Sequence, residues 1–224
     1  MAKVNIYPSV TSSEDNWHRD INCVKELGIK EVCYFPTPTN ISERLEQYKI
    51  LKDSGITYIP LVHIMSDMEP WELQYFLDNF KTTAFNVHSK FDHPQKYDLS
   101  AFKNLIYIET SLSNIDAEIK EWAGVCPDFS HIEDAKYHLP GVYKDFMLYL
   151  KADRIKISHV SAIDRSLSPP SADHTYKSLS DFDYLKNYVK YLPEIVALEL
   201  ENPIEQQLEA KKYIEKGLLN GFGK

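Results

Sequence analysis

Residue types that bind metals recur at the ends of short apolar runs along this chain. His63 closes the run Pro60-Leu61-Val62, His88 closes Phe85-Asn86-Val87, and Glu109 closes Ile106-Tyr107-Ile108. Asp128 opens Asp128-Phe129-Ser130-His131, His159 ends another apolar run, and Glu199 and Glu201 flank Leu200. Alternate residues of a strand share a side, so Glu199 and Glu201 point the same way. Singly, each has an ordinary structural role: a histidine satisfied by its neighbours, or a carboxylate capping the next helix. Gathered in one place, imidazoles and carboxylates repel one another or lose hydration unless something binds them. A divalent cation resolves that conflict. Mixed oxygen and nitrogen donors suit Mn, Zn, Co or Mg.

Elements that could gather these residues are visible in the apolar pattern. Runs rich in Val, Ile, Tyr and Phe read as strands buried on both faces over 4–7, 31–35, 58–63, 84–88, 105–109, 124–128, 154–159 and 194–200. Helical spacing fills most gaps between them. The first helix carries Trp17, Ile21, Val24 and Leu27 on one face, with Ser13 as N-cap and Gly28 closing it. A second starts near Asn40 and ends before Gly55, and a third starts near Asp67 with Pro70 in its first turn. Further helices are expected around 115–122, 142–150 and 182–191, and from Pro203 to about residue 219. The stretch 89–104 is weakly patterned, and 160–181 is long and polar. Eight strands alternating with helices match a single parallel (β/α)8 barrel spanning 1–224, in the α/β class. In a barrel all C-terminal strand ends face one mouth, which is where the residues above fall.

Composition bounds the function. With 224 residues, 43% hydrophobic and 26% charged, the chain suits one soluble domain with a sizeable core. No apolar run reaches the length needed to cross a membrane, and the N-terminus lacks the pattern of a signal peptide, so a cytoplasmic location is expected. Lys plus Arg number 25 against 33 Asp plus Glu, a net charge of -8, which argues against a nucleic-acid partner. Both a monomer and a homo-oligomer stay open. Cys23, Cys33 and Cys126 form no C-x-x-C pair and read as reduced, buried thiols. Asp67 and Asp181 or Asp183 read as helix caps, the three tryptophans as packing, and His18, His93 and His138 as exposed. Tyr7 and Phe35, at strand ends, could wall a substrate pocket. Gly-rich phosphate loops, G-x-S-x-G elbows and H-E-x-x-H helices are all missing from the sequence.

The order Glu109, then Asp128-x-x-His131, then His159 with Arg165 six residues on, then Glu199 resembles the xylose-isomerase-like barrels. That superfamily includes sugar isomerases and epimerases and the endonuclease-four type of nuclease. The resemblance implies that Glu109, Asp128, His159 and Glu199 hold one metal. It implies that His131 and Arg165 contact a sugar-like small molecule. The expected activity is metal-dependent isomerisation or epimerisation of a polyol-like substrate, with Glu109 or Glu199 taking a proton next to a carbonyl. His63 and His88 are expected at the substrate. In the nuclease branch they and Asp173-His174 would instead hold additional metals, although that pattern has one residue between its Asp and His. Phosphodiester hydrolysis and a non-catalytic metal-binding barrel are the alternatives. The loop 160–181, which carries Arg165, Asp173 and His174, is expected to cover part of the mouth.

Overall fold

A computed structural model describes residues 3–12, 16–110, 112, 115–151 and 154–221. Its strands are β1 (Asn5–Tyr7), β2 (Ser9–Thr11), β3 (Cys33–Phe35), β4 (Leu61–Ile64), β5 (Ala84–Val87), β6 (Ile106–Glu109), β7 (Gly124–Cys126), β8 (Ile157–Val160), β9 (Ala162–Asp164), β10 (Ser171–Asp173) and β11 (Ile195–Leu198). Pro8, which has no N–H to give a ladder, separates β1 from β2. The two halves act as one barrel strand: β1 pairs in parallel with β11, and β2 pairs in parallel with β3.

Parallel pairing then runs β3-β4-β5-β6-β7. From β7 the ring continues to β8 through two isolated bridges, Val125 to Ile155 and Asp128 to His159, and β8 pairs with β11. Eight parallel staves therefore close on themselves, which is the (β/α)8 barrel expected from the alternating pattern. Strands β4, β5, β6 and β8 are buried at every position. That is why they read as continuous apolar runs: one face meets the barrel interior and the other meets helices. Tyr7, Cys33, Phe35, Leu61, Ala84, Tyr107, Cys126, Ile157 and Ala197 fill the interior, with every stave contributing. Two larger apolar clusters lie between the staves and the helices.

The helices are α1 (Trp17–Glu26), α2 (Ile41–Asp53), α3 (Pro70–Phe80), α4 (Glu118–Glu121), α5 (Phe129–His138), α6 (Pro140–Tyr149) and α7 (Ile204–Asn220). Helix α2 begins in a reciprocal cap in which Asn40 accepts from the Glu43 N–H and Glu43 accepts from the Asn40 N–H. Beyond α1, Gly28 takes φ +65°, a left-handed turn open to glycine at no steric cost. Helices α2 and α3 are clamped by Arg44, which is fully buried. Its Nε lies 2.8 Å and its Nη2 3.1 Å from the two Glu72 oxygens, Nη1 lies 2.9 Å from Asp67 Oδ1, and the Tyr48 hydroxyl donates to Glu72 at 2.6 Å.

Four expectations change. Asp67 does not cap α3: Glu69 does, with Pro70 at N1, because the Asp67 carboxylate is taken by Arg44. Ser178 caps the segment after the long loop, with Asp181 three residues on, and that segment is 3₁₀ rather than α over Leu179–Asn187. Between β7 and β8 stand two helices, not one, and α5 starts directly on Asp128. The loop 160–181 holds an antiparallel hairpin, β9 with β10. Between β5 and β6 the described residues hold only a 3₁₀ turn, Ser100–Phe102. Ser13 lies outside the described residues, and the α1 N-cap is Asn16. All three cysteines are free and buried. Among the described residues, no helix is long and apolar enough to cross a membrane.

Candidate metal centre

The barrel brings the strand-end residues together at one mouth. His63 lies in β4, His88 follows β5, Glu109 ends β6, Asp128 follows β7, His159 lies in β8 and Glu199 follows β11. The centre of the cluster is a single oxygen, Glu109 Oε2. It accepts from Asn86 Nδ2 at 2.8 Å, lies 3.5 Å from Nε2 of both His63 and His88, and lies 3.7 Å from His159 Nδ1. The His63 and His88 Nε2 atoms are 3.2 Å apart. His159 Nδ1 is also 3.3 Å from Glu199 Oε2.

Local structure explains how each side chain is aimed. Asp128 divides its carboxylate between two tasks. Oδ1 caps α5, accepting from Ser130 N at 2.9 Å and His131 N at 3.1 Å, so its position is tied to the helix. Oδ2 has no hydrogen-bond partner and lies 3.5 Å from His131 Nε2. The Asp128 N–H donates to Thr110 Oγ1 at 3.0 Å, fixing the start of α5 to the end of β6. Phe35, at the end of β3, packs edge-on against the His159 ring at 5.0 Å. The segment after β5 is held by Glu118, which accepts from Ser89 Oγ at 2.7 Å and Lys90 N at 3.0 Å. His88 sits at the root of that segment.

Buried polar atoms are normally satisfied. Here His63 Nδ1, Asn86 Oδ1, Asp128 Oδ2 and both ring nitrogens of His159 are buried with no hydrogen-bond partner. All of them belong to residues of the cluster around Glu109, and buried polar atoms left without partners there fit residues shaped to hold a cation. Two ligand-type groups emerge: His63, His88 and Glu109, and Glu109, Asp128 and His159, the donor atoms of each lying within 4.8 Å of one another. Glu109 belongs to both. The residues therefore fit divalent metal, with hard oxygen and borderline nitrogen donors and no thiolate.

The electrostatics agree with a site of high charge density. Burial pushes the Glu109 carboxyl up, but the imidazoles of His88, His159 and His63 overcome it and hold the group well below the usual carboxylate range. Burial likewise raises Glu199, and His159 brings it down to about 2. His159 is drawn well above its ordinary value, as Cys126, Glu109 and Glu199 outweigh burial. His63 is lowered, chiefly by burial, whereas Glu109 raises His88 despite burial.

Three of the four ligands implied by the resemblance, Glu109, Asp128 and His159, stand in one tight group. Glu199 approaches through His159. His63 and His88, expected at the substrate, stand around Glu109. His131 is half-exposed beside Asp128. His174 contacts the Glu199 carbonyl oxygen through Nδ1 at 3.1 Å, and its ring centre is 6.2 Å from that of His131. Arg165 is exposed between β9 and β10 and lines neither cavity at the mouth.

Those cavities open beside the cluster. One, of about 350 Å³, is bounded by His88, His93, Glu109, His131, Leu139 and Phe146; the other, of about 230 Å³, by Thr11, Phe35, Pro38, His174, Glu199 and Glu201. The hairpin of the 160–181 loop flanks the mouth, held by Asp134 Oδ1, which accepts from Ser171 Oγ at 2.6 Å and Ala172 N at 2.9 Å. Phe35 walls a cavity here. Tyr7 lines a different cavity, shared with Tyr58, Tyr107, Lys156 and Glu194. Asn86 and His93 were not apparent as site residues in the sequence. Asn86 is two residues before His88, so it shares its side of the strand, and a polar residue inside a fully apolar run was the available signal. His93 is exposed on a loop as expected, and its ring lies 4.7 Å from that of His88, at the rim of the cavity.

No family model matches this chain, and no curated protein does. Among solved structures, the fold aligns with an HpcH/HpaI aldolase from Desulfitobacterium hafniense DCB-2 at 12% identity, over 99% of this chain and 96% of that one, with a TM-score of 0.46. The xylose-isomerase-like family read from the strand-end motifs is corrected: no family model supports the assignment, and the aligned structure bears an aldolase's title. The isomerase or epimerase activity, its place in carbohydrate metabolism and the endonuclease-four alternative fall with that family. Geometry also argues against Glu109, one of the two expected bases, in that role. The Glu109 oxygen that was to take a proton from carbon is already surrounded by an amide and three imidazoles.

Proposed function

We propose that the barrel mouth holds two divalent metal ions that share Glu109, and that the protein is a metal-dependent hydrolase of a small molecule. The observation that carries this reading is Glu109, common to two ligand-type groups and set among buried polar atoms with no hydrogen-bond partner. His63 and His88 would complete one position with Glu109. Asp128 and His159 would complete the other, with Glu199 beside it. Divalent ions so held would supply Lewis acidity, acidifying water towards neutral pH and drawing charge from substrate oxygens.

The chain supplies the rest. Asn86 orients the shared carboxylate through its 2.8 Å hydrogen bond. Capping of α5 fixes Asp128 Oδ1 so that Oδ2 faces the centre. His131, half-exposed at the rim, is placed to orient a substrate oxygen. Phe35 closes one side of the His159 ring against water.

Metal content of the purified and reloaded protein tests the reading, measured by elemental analysis. The expected result is two ions per chain. Glu109→Gln should lose both, whereas Asp128→Asn should lose mainly one. Hydrolysis of a panel of small esters and amides should stop on chelation and return on reloading. A stoichiometry of one or none, or hydrolysis indifferent to chelation, would overturn it.

A further inference from the structure

The larger mouth cavity has two kinds of wall. Its inner end is the cluster itself, at His88, Glu109 and His131. Its outer part is lined by Leu112, Ala135, Leu139 and Phe146. Leu112 and Leu139 are 68% and 41% exposed, large apolar side chains lining the same cavity as His88, Glu109 and His131. Phe146 and Ala135 are almost wholly buried beneath them, so the wall has a fixed floor from α5 and α6.

Of the other polar residues lining the cavity, His93 packs against His88 on the cluster side with Asp92 next to it in the chain, and Thr110 Oγ1 is taken by the Asp128 N–H. Asp134, which also lines the cavity, spends Oδ1 on Ser171 and Ala172 and lies 3.7 Å from His138. A polyhydroxylated molecule seated against these four apolar side chains would give up water for few partners, at a cost for each unpaired hydroxyl. An apolar group would lose nothing and would remove Leu112 and Leu139 from water. At about 350 Å³ the cavity lies at the lower end of the range of small-molecule sites, roughly 300–1,000 Å³, and has room for a ring-sized group.

We infer that the substrate of this site carries an aryl or branched alkyl group, held by Leu112, Ala135, Leu139 and Phe146, joined to an oxygen-rich head that reaches the cluster at His88 and His131. The inference rests on the metal-centre reading above and adds the chemical class of the substrate to it. The apolar wall and the cluster share one cavity, so the two parts of the ligand lie within a single small molecule.

Two hydroxamates test this, since both carry the same chelating head and only one carries a ring. Acetohydroxamate and benzohydroxamate are titrated by calorimetry into the metal-loaded protein, with metal content measured on the same sample. Benzohydroxamate should bind at least about tenfold more tightly. Leu139→Ser should remove most of that advantage while leaving the affinity for acetohydroxamate near its original value. Leu112→Ser, at a more exposed position, repeats the test should the first variant fold poorly. Equal affinity for the two probes with metal present overturns the apolar subsite and leaves the metal centre standing. Protein that takes up no metal and binds neither probe overturns both.

Discussion

Replacing Asn86 with Leu isolates the support of the shared carboxylate from the carboxylate itself. Asn86 is fully buried in β5, and leucine repeats its branching and heavy-atom count although it is bulkier, so the strand keeps its packing with a small adjustment. What is lost is the Nδ2–H that donates to Glu109 Oε2 at 2.8 Å. A hydrogen bond to a charged acceptor contributes about 1.5–3 kcal/mol. At 1.4 kcal/mol per decade that is roughly 10–150-fold in metal affinity. Losing a residue that orients a metal ligand ordinarily costs about 10–100-fold, an independent figure that overlaps the first. The change also removes Asn86 Oδ1, a buried acceptor with no partner, which offsets part of the loss in the metal-free fold. The expected outcome is therefore split: metal affinity falls by one to two decades, measured by competition with a chelating dye near neutral pH, while the metal-free protein melts within a few degrees of wild type. A folded variant that binds metal within about twofold of wild type would refute the role assigned to Asn86, and with it the claim that Glu109 is the centre of the site.

Three further outcomes concern the frame around the centre. Asp20 is fully buried, and burial raises its carboxyl to about 6 despite Arg19, above the 3.8 of an unfolded chain. The folded protein thus disfavours its ionised form, a cost absent below pH 3.8 and complete above about 6; Asp20→Asn should stabilise the fold at pH 8 by at most about 3 kcal/mol. Thermal melts at pH 8 and pH 5 check this, and an equal gain at both would count against it. Arg44→Leu leaves Glu72 buried and unpaired, so it should cost about 3–5 kcal/mol, some 6–20 °C in melting temperature. In Gly124→Ala the new methyl would lie 1.9 Å from the Arg154 carbonyl oxygen, so β7 must move; unfolding in denaturant should show a loss of several kcal/mol.

The barrel was legible in the sequence because each stave is buried on both faces and so writes an unbroken apolar run. The 84–88 and 105–109 runs fall within one residue of β5 and β6. Helix α5 was not legible. Its face consists of Phe129, Ile132 and Ala135 set among Ser, His, Glu, Asp and Lys, and its N-cap, Asp128, had already been read as a site residue. One carboxylate serving both as cap and at the centre hid the helix. Missing α5 also hid the apolar wall of the larger cavity, to which it contributes Ala135 and, at its end, Leu139. The residues of the cluster were legible by type and position, since each stands at a stave end. The sharing of Glu109 was not, because it depends on the inward lean of β4, β5, β6 and β8 on one atom, which no spacing along the chain encodes. The family read from those same motifs did not survive, because strand-end Glu, Asp and His recur wherever a barrel mouth gathers charge.

The join between β7 and β8 gives the ring of staves a weak point of known location. Here two isolated bridges carry the closure, with Val125 N donating to Arg154 O and His159 N donating to Pro127 O, whereas most neighbouring staves share ladders of three or four registered pairs. Asp128 and His159 form the second bridge, and both belong to the centre. A cation gripped by these two side chains would therefore clasp the barrel across its own seam, and ligation and closure would become one event. Amide protons of Val125 and His159 would then exchange with solvent at rates set by metal occupancy, while those of β3, which carries none of the ligands, exchange at rates set by the fold alone.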